Sequence, residues 1–283
     1  MAASLIALHC RTSDRAVRCE RGVTELEALV GKRLGREPRT IGEFSGPVEA
    51  GWEQDLAESR GCLLEAGGQV DDALAAGQVP VLLAAECSEG LTTLPAVHRH
   101  RPDARILWLD AHGDFNTPET SASGYLGGMP LAGATGRWDA GLTPDSADPR
   151  RVVLAGVRDL DGAEREMLEG GSVTVIGASP VETLVAVSNA LDGAPVYVHL
   201  DLDVIDPAQM PAQFPAPDGL AAEKVFDVLE AVAGTSEIVG LEVTCFEAPD
   251  DEEERQDLAA LIMHVIEPLL AAVPDADPEE AGA

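Results

Sequence analysis

Positive charge is scarce in this 283-residue chain. It carries 19 lysines and arginines against 50 aspartates and glutamates, for a net charge of −31, and its only lysines are Lys32 and Lys224. Nucleic-acid binding uses a basic surface that releases counterions, and anionic membranes attract basic segments. The composition therefore argues against nucleic acid and membranes as partners.

The chain also lacks a Cys-x-x-Cys pair and a long apolar run. Its five cysteines are scattered, and a chain of this length does not need disulfides for stability. The first ten residues show neither a basic start nor a long apolar stretch, so no signal peptide is expected. The longest apolar stretch, Leu258–Val273, contains His264 and Glu267 and is too short to span a bilayer. A cytoplasmic location is the resulting expectation.

Short segments rich in Val, Ile and Leu alternate with helical patterns along the chain. Near-continuous apolar strands are typical of parallel sheets covered on both faces, and strand–helix alternation indicates crossover connections. The sequence therefore predicts an α/β fold with a mostly parallel sheet, in one domain over residues 1–273 followed by an acidic tail over 274–283. The predicted strands are Ser4–His9, Thr40–Phe44, Val79–Ala85, Arg105–Asp110, Val152–Val157, Val173–Ile176, Val196–Asp203 and Ile238–Val243. The predicted helices include Thr24–Leu34, Asp55–Ala76, Gly162–Glu169, Val181–Leu191, Ala221–Ala233 and Glu254–Val273.

Two acidic clusters stand where predicted strands end. Asp110, His112 and Asp114 alternate after the fourth strand, and Asp201 and Asp203 close the seventh. Alternation places the members of each cluster on one side of the chain, where like charges and desolvation make their burial costly. A pair of divalent cations would remove this cost, and carboxylates with one imidazole suit Mn²⁺ or a similar first-row ion. An acidic loop that binds Mg²⁺, or solvated strand ends, is the alternative.

These motifs resemble those of the ureohydrolases, which include arginases and agmatinases. The resemblance rests on Asp-Ala-His-Gly-Asp at 110–114, Asn-Thr-Pro at 116–118 and Asp-Leu-Asp-Val-Ile-Asp-Pro at 201–207, and it extends from about residue 79 to residue 243. It implies a single-domain, three-layer α/β/α arginase-like fold. It also implies two Mn²⁺ ions, whose bridging hydroxide attacks a guanidinium carbon. Relatives are often trimers or hexamers. A surface this acidic is equally compatible with a monomer, so the sequence leaves the oligomeric state open.

The resemblance assigns metal ligands residue by residue. Asp110 and Asp201 correspond to the carboxylates that bridge both ions. His112 and Asp203 correspond to ligands of one ion, and Asp114 to a ligand of the other and a catalytic residue.

At the second ion, the family's Gly-Gly-Asp-His-Ser-like motif is replaced by Ala84-Ala-Glu-Cys-Ser88, with Cys87 at the His position. A thiolate is a softer ligand than imidazole and suits Mn²⁺ less well. Metal bound there is therefore expected to be weak, exchangeable or of another identity. That Cys87 is instead a small buried apolar residue is an equally weighted alternative.

The substrate residues implied by the resemblance favour an α-amino acid over agmatine, which lacks a carboxylate. Asn116, Ser121 and Ser123 match positions that hold the α-carboxylate, and Asp161 matches the residue that receives the α-ammonium. Glu242 matches the catalytic acid that pairs with the guanidinium, since a planar cation needs a fixed carboxylate. The serines are also natural turn residues, and Asp161 is also a natural helix cap.

A second departure from arginases is Gly127, which stands where they place a proton-shuttling His. A general acid contributes about 10²–10⁴-fold, so arginine is expected to be a poor substrate. His199 is a candidate replacement, and the alternative interpretation is a core histidine or one that supports a metal ligand.

Together, Cys87 and Gly127 resemble the family branch that hydrolyses N(ω)-hydroxy-L-arginine to L-ornithine and hydroxyurea in D-cycloserine biosynthesis. That reaction is the leading hypothesis. A slow arginase, a hydrolase of another guanidino compound, and a degenerate homologue that binds a ligand without turnover remain as alternatives.

Overall fold

The computed structural model describes residues 2–273. The predicted acidic tail, 274–283, lies outside the described residues. The strands are β1 (Ala3–Leu8), β2 (Arg39–Ile41), β3 (Val79–Leu83), β4 (Arg105–Leu109), β5 (Val152–Val157), β6 (Thr174–Gly177), β7 (Val196–Asp201) and β8 (Ile238–Thr244). The α-helices are α1 (Val17–Leu34), α2 (Trp52–Ala75), α3 (Gly90–His100), α4 (Pro130–Ala134), α5 (Gly162–Glu169), α6 (Thr183–Leu191), α7 (Ala222–Thr235) and α8 (Glu252–Ala272).

The eight strands form one sheet in the order β2-β1-β3-β8-β7-β4-β5-β6, and every neighbouring pair is parallel. Strand alternation divides the core between the two faces. Leu5 and Ala7 of β1 face a layer made of α1, α6, α7 and α8, while Ile6 and Leu8 face a layer that includes α2, α3 and α5. The predicted three-layer fold and all eight predicted strands are confirmed.

Two features of the fold depart from the sequence analysis. Helix α3 was not predicted, because it contains Pro95 and its sequence is rich in Thr and Gly at its start. Cys10, just after β1, forms a disulfide with Cys62 in α2, and their Cα atoms lie 6.2 Å apart. This pairing was not expected from the scattered cysteines.

The described helices include none that is both long enough and apolar enough to cross a membrane. The apolar part of α8 instead packs on the sheet, where its Ile262, Val265 and Leu269 are fully buried in the core. Its length and composition therefore reflect burial against the sheet.

Candidate active site

A cavity of about 320 Å³ lies at the carboxyl ends of the central strands. Loops at this edge of a parallel sheet are the usual place for ligands. The loops that follow β4 and β7 both contribute, the loop after β7 through Phe214. The predicted site residues that line the cavity are Cys87, His112, Asp114, Asn116, Ser121, Ser123, Asp161, Asp201 and Asp203.

One group of donors consists of Asp110, His112 and Asp203, whose ligand atoms lie within 4.8 Å of one another. His112 Nδ1 is 2.9 Å from Asp203 Oδ2 and 3.4 Å from Asp110 Oδ1. Although burial opposes it, pairing with Asp110 and Asp203 raises the pKa of His112 to about 12. The same contact with His112 outweighs burial and lowers the pKa of Asp110 to about 2. Two oxygen donors and one imidazole make a group that suits a first-row divalent ion.

A second group of donors consists of Cys87, Asp110 and Asp114, again within 4.8 Å. Asp110 belongs to both groups, as expected of a bridging ligand. Asp201 joins the thiol side, where its Oδ2 is 3.0 Å from Cys87 Sγ. Burial, followed by repulsion from neighbouring carboxylates, raises the pKa values of Asp114 and Asp201 well above their usual range. Such a set of buried acids fits divalent cations, which would supply the missing positive charge.

The backbone around the first group is fixed by the same carboxylates. Asp110 Oδ1 accepts a hydrogen bond from the backbone N–H of His112 at 2.7 Å, and Asp203 Oδ1 accepts one from Ala111 at 3.0 Å. Asp114 has a φ of 48°, a left-handed conformation that a non-glycine residue adopts rarely and that recurs at functional sites. The loop after β4 is therefore held in place by Asp110 and by Asp203, which follows the neighbouring strand β7.

The polar end of the cavity is built around Asp161. Asn116 Nδ2 donates to Asp161 Oδ2 at 3.1 Å, and Asp161 caps α5 in a capping box with Glu164. Ser121 Oγ accepts from Gly124 N at 3.0 Å, and Ser123 Oγ accepts from the backbone of the following turn. These side chains stabilise the local structure and also line the cavity. Their interpretation as turn and cap residues is therefore compatible with their predicted interpretation as substrate-binding residues.

The structure does not bring Glu242 to the cavity, which corrects its predicted role. Glu242 lies inside β8, beside His199 of β7 in the sheet register, and its side chain is 0% exposed. Its carboxylate accepts from Tyr197 Oη at 2.7 Å and pairs with His199 Nδ1 at 2.7 Å. The cavity lies beyond the strand end, so a residue three positions further on, Cys245, lines it instead.

His199 is a core histidine, as the alternative interpretation held. It is fully buried and stacks on Trp108, with ring centroids 3.5 Å apart. Trp108 Nε1 in turn donates to Asp110 Oδ2 at 2.9 Å. Through Trp108, Glu242 and His199 therefore support the position of Asp110.

Glu86, Tyr125 and Cys245 are among the cavity residues that were not assigned a role from the sequence. Tyr125 Oη donates a hydrogen bond to Glu86 Oε2. The Tyr125 ring lies against Gly127, where an added Cβ would stand 2.4 Å from Tyr125 Cε1. Gly127 is thus required by the tyrosine that covers it. The position of Glu86 directly before Cys87 in the metal-binding motif was the available signal.

Comparisons with known proteins agree with this geometry. A model of the arginase family matches residues 46–270. The chain is 36% identical to an N(omega)-hydroxy-L-arginine amidinohydrolase of Streptomyces lavendulae, covering 95% of this chain and 97% of that protein. It is 33% identical to an arginase of Eremothecium gossypii over 68% of this chain but only 50% of that protein. In structure it resembles an arginase from Bacillus cereus, with a TM-score of 0.82, 24% identity and coverage of 95% and 98% of the two chains.

Proposed function

This chain belongs to the arginase family, and from that premise we propose that it hydrolyses N(ω)-hydroxy-L-arginine to L-ornithine and hydroxyurea. The relative with that name in Streptomyces lavendulae aligns along nearly the full length of both chains. The observation that carries the proposal lies in the cavity itself. The cavity contains the carboxylates of the candidate metal ligands, and at position 127 it has a glycine, covered by the Tyr125 ring, where a histidine would serve as general acid.

Two divalent ions fit the donors as proposed cofactors; Mn²⁺ suits the carboxylate and imidazole donors, and the thiol side suits it less well. Asp110, His112 and Asp203 would hold one ion, and Cys87, Asp114 and Asp201 would hold the other, with Asp110 and Asp201 shared. When bound, the divalent ions supply a nucleophilic water by lowering its pKa towards about 7.

Glu86 is the residue we assign to the guanidino end of the substrate. It is 5% exposed, lines the cavity and uses Oε2 to accept from Tyr125 Oη. Its other oxygen is left to accept from an N–H of the substrate. Arg15 lies over the outer face of Tyr125, 4.5 Å from the ring centroid, and so helps to keep the tyrosine in place. A fixed carboxylate of this kind orients a planar, N–H-bearing group.

The amino-acid end of the substrate would meet the polar residues of the cavity. Asp161, Asn116 and the two serines, Ser121 and Ser123, offer acceptors and donors suited to an α-ammonium and an α-carboxylate. Their backbone hydrogen bonds fix them before substrate arrives, which reduces the entropic cost of binding.

The hydroxylated substrate suits a site without a general acid at position 127. A hydroxyguanidine is less basic than a guanidine, so it loses its proton more readily, and its hydroxyl adds an oxygen donor. Arginine, which lacks both properties, would depend more strongly on a proton donor worth about 10²–10⁴-fold.

The test is the release of ornithine from N(ω)-hydroxy-L-arginine and from L-arginine, and of putrescine from agmatine, by the Mn²⁺-loaded protein. We expect turnover of the hydroxylated substrate to exceed that of arginine by about 10²-fold or more, with agmatine inert because it has no carboxylate. Equal turnover of arginine would support an arginase instead. No turnover of any of the three substrates, with metal bound, would support another guanidino substrate or a binding protein.

A further inference from the structure

A second thiol stands beside Cys87 at the thiol side of the cavity. Cys245, the first residue after β8, has its Sγ 3.7 Å from Cys87 Sγ. The two thiols and Asp201 form a donor group whose ligand atoms all lie within 4.8 Å of one another. Cys245 has a φ of 64°, a conformation that non-glycine residues adopt rarely and that clusters at functional sites.

We propose that Cys245 is a metal ligand and that, with Cys87 and Asp201, it makes the second metal position a dithiolate site. Thiolates select Zn²⁺ and other soft ions, whereas carboxylate and imidazole donors suit Mn²⁺. The two positions therefore prefer different metal ions. The centre would hold one ion such as Mn²⁺ at the carboxylate and imidazole donors and one thiophilic ion at the thiolates. This inference concerns the chain's own ligands and stands whichever guanidino compound is the substrate.

The spacing of the sulfurs fits a shared ion. Two thiolates about 2.3 Å from one tetrahedral Zn²⁺ lie about 3.8 Å apart, close to the observed 3.7 Å. Asp201 supplies the third donor, with Oδ2 3.0 Å from Cys87 Sγ. Cys87 also belongs to the group that contains Asp114, so Asp114 is available as a further oxygen donor.

The neighbouring polar groups are compatible with a thiolate. Thr244 Oγ1 lies 3.2 Å from Cys87 Sγ, within reach to donate a hydrogen bond to it. Binding would release the two thiol protons to solvent as the two sulfur–metal bonds form. No change of oxidation state is involved, so the step needs no oxidant.

The first test counts sulfur ligands in the wild-type protein. Anaerobically purified, metal-free protein receives one equivalent of Zn²⁺, and X-ray absorption at the zinc edge reports the scatterers around the ion. We expect two sulfurs at about 2.3 Å, with oxygen or nitrogen completing the shell. One sulfur would overturn the role of Cys245, and none would overturn the dithiolate site altogether.

Variants then identify which cysteines contribute. With Co²⁺ as the probe, the thiolate-to-cobalt absorption band should fall by about half in Cys245→Ser and in Cys87→Ser, because each removes one of two thiolate ligands. Cys19→Ser is the matched control: Cys19 lines the same cavity, but its Sγ contacts Glu247 at 3.7 Å and belongs to none of the donor groups. An undiminished band in Cys245→Ser, or an equal loss in Cys19→Ser, would contradict the proposal.

Discussion

We assign Glu242 to the core and Glu86 to the substrate site, and replacing each with glutamine tests this assignment. Glu242 is 0% exposed and both of its carboxylate oxygens have partners, Tyr197 Oη and His199 Nδ1, each at 2.7 Å. Glutamine keeps only one of these acceptors and turns an NH₂ group towards a donor. Hydrogen bonds to charged groups contribute about 1.5–3 kcal/mol and broken buried pairs cost about 3–5 kcal/mol. We therefore expect Glu242→Gln to lower the free energy of unfolding by about 3 kcal/mol.

Glu86→Gln should show the opposite pattern. The amide oxygen of glutamine can still accept from Tyr125 Oη, so the loss of stability should stay below about 1 kcal/mol. Loss of one acceptor oxygen for the guanidino group should raise KM by up to about 10-fold, since about 0.5–1.5 kcal/mol is at stake. Urea denaturation followed by circular dichroism measures stability, and ornithine release measures KM. A stable Glu242→Gln with a raised KM, alongside an unaffected Glu86→Gln, would refute the assignment.

Three further results are expected. Gly127→His should lower the free energy of unfolding by about 1–3 kcal/mol through overpacking without creating arginine turnover, since its Cβ would stand 2.4 Å from the Tyr125 ring. The control Gly128→Ala should be tolerated, because nothing lies within 4 Å of its Cβ. Arginine turnover by Gly127→His would contradict this prediction. Asp201→Asn should lose bound metal and activity together, as measured by metal analysis and turnover, and a fully active variant would exclude Asp201 as a ligand. In metal-free protein the pKa values of Asp114 and Asp201 are raised, so the folded state holds more protons than the unfolded state and stability falls as pH rises above about 4. The gain in melting temperature on adding Mn²⁺ should therefore grow between about pH 5 and pH 8, and a gain that shrinks would contradict the raised pKa values.

The sheet was predictable because its strands are nearly continuous apolar segments that are buried on both faces. Val152–Val157 was predicted residue for residue, and so was α5, whose Asp161 and Glu164 form a capping box. Helix α3 was missed because Pro95, which disfavours a helix, lies inside it. In the fold, the packing of α3 against α2 and the sheet outweighs this local preference.

The grouping of the candidate metal donors was predictable because their identities and alternating spacing at the strand ends place them together. The role of Glu242 was not, because a sequence match cannot tell a strand interior from the strand end three residues later. Cys245 and Tyr125 depend on contacts between separate loops, with Cys87 and with Glu86 respectively. Such contacts arise only when the strands align, so no local pattern in the sequence reports them.

The most direct test of the proposed reaction is to follow N(ω)-hydroxy-L-arginine labelled with ¹³C at the guanidino carbon by NMR during turnover. Hydrolysis at the bond to the ornithine nitrogen transfers the label to hydroxyurea and leaves unlabelled L-ornithine. We predict that outcome for the metal-loaded protein. Label that stays in the amino acid, as citrulline with release of hydroxylamine, or label that is not converted at all, would contradict it.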